Sequence, residues 1–187
     1  MPMGRFGGID GNAALTSAVA VVLTALLLAE GVTIIDLGGL RTPHMFIGLL
    51  LIPPVLVKLG STGYRFVRYY AGTFAYREKG PPLLVLRLLA PILVAMTIAI
   101  FVTGILLLIL GHRSGLLVEL HKIAFIVWSM VFAVHFLGHL PTMLRSVAAS
   151  RAVAGARTRL TLVGLSVVGG TGLALAVLGA ITRWHGR

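Results

Sequence analysis

The chain has 187 residues, 58% of them hydrophobic and 11% charged, with a mean hydropathy of +1.01 and a formal net charge of +11. That much apolar surface excludes a water-soluble globular domain, and the absence of cysteine excludes disulfides, iron–sulfur clusters and thiolate metal ligation. The positive charge lies in the connections between apolar runs, so it reads as membrane topology and attraction to lipid headgroups, with no nucleic-acid partner.

Five segments, near 13–37, 44–64, 88–111, 121–143 and 160–181, reach the ~20 apolar residues that cross a bilayer. Backbone groups have no water to bond in hydrocarbon, and runs of this length without alternation predict helices. The fold class is therefore all-α integral membrane, a single membrane domain over 1–187 with no internal repeat. The first segment carries Glu30 and is longer than the roughly 7–15 residues of a signal-peptide core, with no convincing cleavage site after it. A short connection with Arg41 leads to the second segment, which opens at His44 and contains Pro53-Pro54 and Lys58. The paired prolines predict a kink there.

The connection 65–87 holds Arg65, Arg68, Arg77, Lys79 and Arg87 against Glu78 alone, and Gly80-Pro81-Pro82 breaks the chain before the third segment. Tyr64, Tyr69, Tyr70 and Tyr76 gather at the same boundary, as an interfacial aromatic belt would. The connection 144–159 carries Arg145, Arg151, Arg157 and Arg159 without an acid, whereas the other two connections hold only Arg41 and Arg113. The two basic connections are expected to face the cytoplasm, with the N-terminus inside and the C-terminus outside. A bacterial cell membrane is the expected location, and the Ala/Gly/Val/Leu/Arg-heavy composition suits a high-GC genome.

Ionisable residues inside spans are costly and point to function. Those needing an account are Glu30, His44, Lys58, His121, His135 and His139. His121 and His135 are 14 residues apart, which is 40° short of four full turns and about 21 Å along the axis. They share a face, and His139 lies one turn further on. His44 and Lys58 repeat the 14-residue spacing on the second segment, which runs parallel to the fourth. Equal spacings on parallel helices predict two polar levels, an outer one of His44 with His121 and an inner one of Lys58 with His135. Two imidazoles across an apolar gap suit bis-histidine ligation of haem iron, with Gly48, Gly104 and Gly31 available to admit the ring edge. A zinc or copper site would recruit a carboxylate or thiolate in addition.

These residues resemble those of the di-haem membrane cytochromes b, in which two His-x13-His pairs on parallel helices of a four-helix bundle hold one haem near each surface. His121-x13-His135 matches one pair, and His44 in PHMFIG matches the first histidine of the other. The stretch HMFIGLLLIPPVLVKLGSTGYRFVRYY followed by KGPP also looks like small actinobacterial membrane proteins. The resemblance covers roughly 13–143 and implies that segments one to four form the haem-binding bundle, with segment five additional. It implies two haems b, the outer held by His44 and His121 and the inner by Lys58 and His135, with His139 as the alternative to His135. Lys58 departs from the pattern. It ligates as a neutral amine, pairs with a propionate or snorkels to the headgroups, or stands beside a site for quinone or protons. Arg41, Arg113 and Lys122 are candidates for outer propionates and Arg65, Arg68 and Arg145 for inner ones. Glu30 is a candidate proton relay or quinol contact, and His112 and His185 have no expected role.

The expected function is a b-type cytochrome that carries electrons across the bilayer, an oxidoreductase if its couple is quinol, ferric iron or superoxide. No strand–GxGxxG–helix context exists for flavin or nicotinamide, so electrons come from quinol or a redox protein. Two other classes stay open: a cofactor-free transporter or proton-conducting bundle, and an accessory subunit whose polar groups serve helix association.

Overall fold

A computed structural model describes residues 8–78, 80, 83–110 and 115–183. Its elements are α1 (Gly8–Ile35), α2 (Arg41–Tyr70), the short α3 (Phe74–Glu78), α4 (Leu84–Leu110), α5 (Gly115–Ala149), a 3-10 turn (Ser150–Ala152), α6 (Ala156–Ala176) and α7 (Leu178–Arg183). Five of these, α1, α2, α4, α5 and α6, are long and apolar enough to cross a membrane. The chain is an all-α, multi-spanning membrane protein. His112, Arg113, Lys79 and His185 lie outside the described residues.

Hydroxyl residues are tolerated in these apolar helices because each can return its proton to a carbonyl of the preceding turn. Thr24 donates to Ala20 at 2.8 Å, Thr97 to Leu93 at 2.7 Å and Ser129 to Phe125 at 2.8 Å. Pro53 and Pro54 both lie within α2, which continues through them, and Pro54 is fully buried. Large apolar side chains such as Leu28, Ile109, Leu165 and Val168 stand exposed, as lipid-facing groups do.

The helices at 8–35, 41–70, 84–110 and 115–149 do not form a self-contained four-helix bundle with a fifth added. Instead α6 packs against α2 and α1, α4 pairs with α5, and α1 touches both α2 and α5. The cause is the face of α6 on which Ser166, Gly170 and Ala174 are buried at four-residue spacing. Helix association in lipid depends on close backbone approach, which small residues permit. At Gly170 the approach is so close that a Cβ would stand 2.2 Å from the Leu50 carbonyl oxygen. Among the described residues, α2 and α5 scarcely meet through their backbones.

Two connections fix the relative heights of these helices. Between α1 and α2, the Leu40 amide donates to the Asp36 carbonyl at 2.8 Å and the Gly39 amide to Asp36 Oδ1 at 3.1 Å, closing a tight turn. Between α5 and α6, Gly155 at φ +81° turns the chain, a conformation that favours glycine. There the buried Arg159 donates to the carbonyls of Ser150 at 3.1 Å, Val153 at 2.9 Å and Ala154. A planar guanidinium with five donors can satisfy several carbonyls at once.

Candidate functional site

The tight 36–40 turn sets the last two turns of α1 beside the start of α2. Glu30 and Thr33 thereby meet His44, with Glu30 Oε1 at 2.8 Å from His44 Nδ1 and Thr33 Oγ1 at 3.2 Å from the same nitrogen. The Thr33 hydroxyl spends its proton on the Glu30 carbonyl at 2.6 Å. Both contacts therefore accept from His44, and a neutral ring carries its proton on Nδ1. Its Nε2 then keeps a lone pair. Gly48, one turn below, borders the carboxylate at ordinary contact distance, since a Cβ there would be 3.8 Å from Glu30 Oε1.

His121 is oriented in the same manner by a residue of α4. Thr103 on α4 donates to the Ala99 carbonyl at 2.6 Å, so its oxygen accepts from His121 Nδ1 at 2.8 Å. Again the neutral tautomer has its proton on Nδ1 and its lone pair on Nε2. Gly104 makes room for this ring, because a Cβ at that position would stand 3.3 Å from His121 Cε1. The two imidazoles come together edge to face, with ring centres 6.4 Å apart and planes at 87°. Gly31 has open space around its Cα and does not border the pair.

The second polar level is arranged differently. Lys58 donates to the Thr16 carbonyl on α1 at 3.0 Å. Around it Thr16 Oγ1 donates to Asn12 O at 2.8 Å and lies 3.0 Å from Ser61 Oγ, while Asn12 Nδ2 donates to Ser61 O at 3.1 Å. His135 and His139 pack against each other with ring centres 4.6 Å apart, and His135 Nδ1 is buried with no hydrogen-bond partner among the described residues. Lys58 is near enough to act electrostatically on both rings.

Between the two levels the same face of α5 carries a ladder of aromatic rings. Phe125, Trp128, Phe132 and Phe136 stack with successive centres 6.5, 4.6 and 5.5 Å apart. Trp128 Nε1 donates to Thr97 Oγ1 on α4 at 2.9 Å, which ties the ladder to the neighbouring helix. Sequence reasoning missed the ladder, although its spacing of three and four residues is a readable signal. It also missed Thr33 and Thr103, for which no comparable signal exists.

The candidate propionate partners have other contacts. Lys122 pairs with Glu119 at 2.9 Å with both side chains about three-fifths exposed, Arg145 donates to the Pro141 carbonyl at 3.2 Å, and Arg68 lies 5.9 Å from the centre of the Tyr64 ring. Arg65 lies close enough to His139 to act on it, and Arg41 opens α2. Among the described residues no group of three or more His, Cys, Asp or Glu side chains could hold a metal ion by itself. The site thus offers two oriented imidazoles inside a multi-pass helical membrane protein. No protein-family model, curated protein or solved structure matches the chain.

Proposed function

We propose that the chain is a b-type membrane cytochrome that binds haem b between His44 and His121 and carries electrons across the bilayer of a bacterial cell, its N-terminus inside and its C-terminus outside. One observation carries the reading. Two imidazoles on different helices, α2 and α5, stand 6.4 Å apart, each with Nδ1 engaged by an acceptor on a further helix. Metal-bound histidines nearly always donate their other ring nitrogen in this way. His44 and His121 would hold the haem iron, one from each of two helices, and Glu30, Thr33 and Thr103 would keep their rings in place. The macrocycle supplies the remaining iron ligands, so a pair of side chains suffices.

Bound there, haem supplies a one-electron ferric–ferrous couple whose potential follows its axial ligands and burial. The residues do the rest. Glu30 and Thr33 fix the His44 ring, and Thr103 fixes the His121 ring. The Lys58 level is the proposed second station, for a haem held by Lys58 with His135 or His139, or for a quinone. The partner couples are quinol or a redox protein on one side and a small oxidant or second redox protein on the other.

Protein purified from haem-replete cells is expected to be red, with a Soret band and a sharp α-band on reduction. His44→Ala and His121→Ala are each expected to remove that spectrum while the protein stays monodisperse in detergent. A colourless wild-type preparation overturns the reading. Lys58→Ala is expected to leave the His44–His121 spectrum in place and to remove a second spectral component, with haem stoichiometry as the measurement. Unchanged stoichiometry assigns the lysine to its bond with Thr16.

A cofactor-free proton conductor is the second reading, favoured by the contact of Glu30 with His44 and of His44 with His121. It predicts a colourless protein that dissipates a pH gradient across liposomes and loses that activity in Glu30→Gln.

A further inference from the structure

The two imidazoles are oriented by unlike acceptors. His121 Nδ1 meets the hydroxyl oxygen of Thr103, a neutral group, at 2.8 Å. His44 Nδ1 meets the Glu30 carboxylate at 2.8 Å, and that carboxylate is only 14% exposed. A hydrogen bond to an ionised acceptor is about twice as strong as one to a neutral acceptor. It also draws the Nδ1 proton away from the ring, which raises the electron density that Nε2 can donate. The two faces of one site are therefore chemically unequal.

Glu30 is placed for this role by its neighbours on α1 and α2. The Thr33 hydroxyl, itself buried, donates to the Glu30 carbonyl at 2.6 Å and so fixes the backbone end of the residue. The carboxylate lies beside Gly48 on α2, where a Cβ would be 3.8 Å from Glu30 Oε1. The Glu30 carboxylate pairs with His44 across the α1–α2 junction. A carboxylate held at membrane depth against a ligating imidazole opposes loss of positive charge from the metal behind it, because attraction between charges is strong where water is excluded.

We infer that Glu30 is a positioning residue for His44 that makes the two axial ligands electronically unequal and holds the potential of the bound iron low. The inference rests on the haem reading above, and it departs from a proton relay as the role of Glu30. Its atoms balance simply: reduction adds one electron to the iron, the Glu30–His44 hydrogen bond persists, and no bond is broken.

The test is a spectroelectrochemical titration of the haem-loaded protein in detergent, with haem content and the electron paramagnetic resonance of the ferric state measured alongside. Glu30→Gln keeps the shape and the acceptor oxygen but removes the charge. It is expected to keep its haem and to shift the ferric–ferrous equilibrium about tenfold toward ferrous, which is a rise of about 59 mV for one electron. Thr103→Val is expected to shift it less, and Glu30→Asp to fall between Glu30→Gln and wild type. Loss of haem from Glu30→Gln with retention in Glu30→Asp also supports the role, since it shows that the charge holds the ligand. Equal loss from both variants assigns Glu30 to packing and overturns it, as does retained haem with an unchanged potential and unchanged ferric signal. A colourless wild-type protein instead ends the haem reading, and the two failures are thereby distinguishable.

Discussion

Gly170→Val is expected to abolish the packing of α6 on α2. The first atom of any side chain at this position would lie 2.2 Å from the Leu50 carbonyl oxygen, 3.0 Å from its carbon and 3.1 Å from the Leu50 Cα. All three are backbone atoms, so no rotamer change relieves the clash, and the helices must move apart. Overpacking of a tight core costs typically about 1–3 kcal/mol and sometimes more. Here the displaced surface runs along a whole helix face that includes Ser166 and Ala174. The expected result is a lower melting temperature in detergent and loss of a monodisperse species. Gly169→Val is the matched control, since a Cβ at Gly169 meets nothing within 4 Å. Equal behaviour of the two variants would contradict the α2–α6 interface.

The second large effect is expected at Arg159. Arg159 is buried, and its guanidinium serves the carbonyls of Ser150, Val153 and Ala154, which lie in the connection between α5 and α6. Arg159→Ala removes the side-chain donor from the Val153 and Ala154 carbonyls and one of two donors from that of Ser150, which keeps the Val153 amide at 3.3 Å. Each hydrogen bond lost costs about 0.5–1.5 kcal/mol. The expected outcome is a marked fall in melting temperature together with faster proteolysis between residues 150 and 156. Arg159→Lys is expected to recover only part of the loss, because an ammonium lacks the fixed fork that reaches three acceptors. Full recovery by lysine would show that charge alone suffices.

The helices themselves were legible from apolar run length, because lipid admits few other backbone conformations. Their ends were less so. The second segment was expected to stop near 64 and the fourth to run from 121 to 143, whereas α2 extends to Tyr70 and α5 from Gly115 to Ala149. Hydropathy sees only the part that is apolar. The Arg- and Tyr-rich turns beyond it remain helical because helical hydrogen bonding does not require an apolar side chain. The 14-residue spacings drew attention to both polar levels, and the structure places His44 beside His121. That spacing could not show which acceptor orients each ring. Thr33 and Thr103 read in sequence as ordinary hydroxyls in apolar runs, and only the heights of α1 and α4 reveal what they touch. The Lys58 bond to Thr16 was illegible for the same reason, since it depends on the register between α1 and α2. The pairing of α6 with α2 was legible in principle from Ser166, Gly170 and Ala174, but small residues are frequent in membrane helices and do not name their partner.

The embrace of α2 by α6 has a consequence for biogenesis. His44 lies on α2, and the depth and rotation of α2 are set partly by Leu50 against Gly170 on α6, which follows α4 and α5 in the chain. Chains emerge from the ribosome N-terminus first, at about 5–20 residues per second. The helix that carries His44 therefore emerges before the α6 face against which it packs. The polar level at His44 and His121 reaches its final shape only once α6 has packed on α2, so the order in which the helices are made differs from the order in which this level is completed.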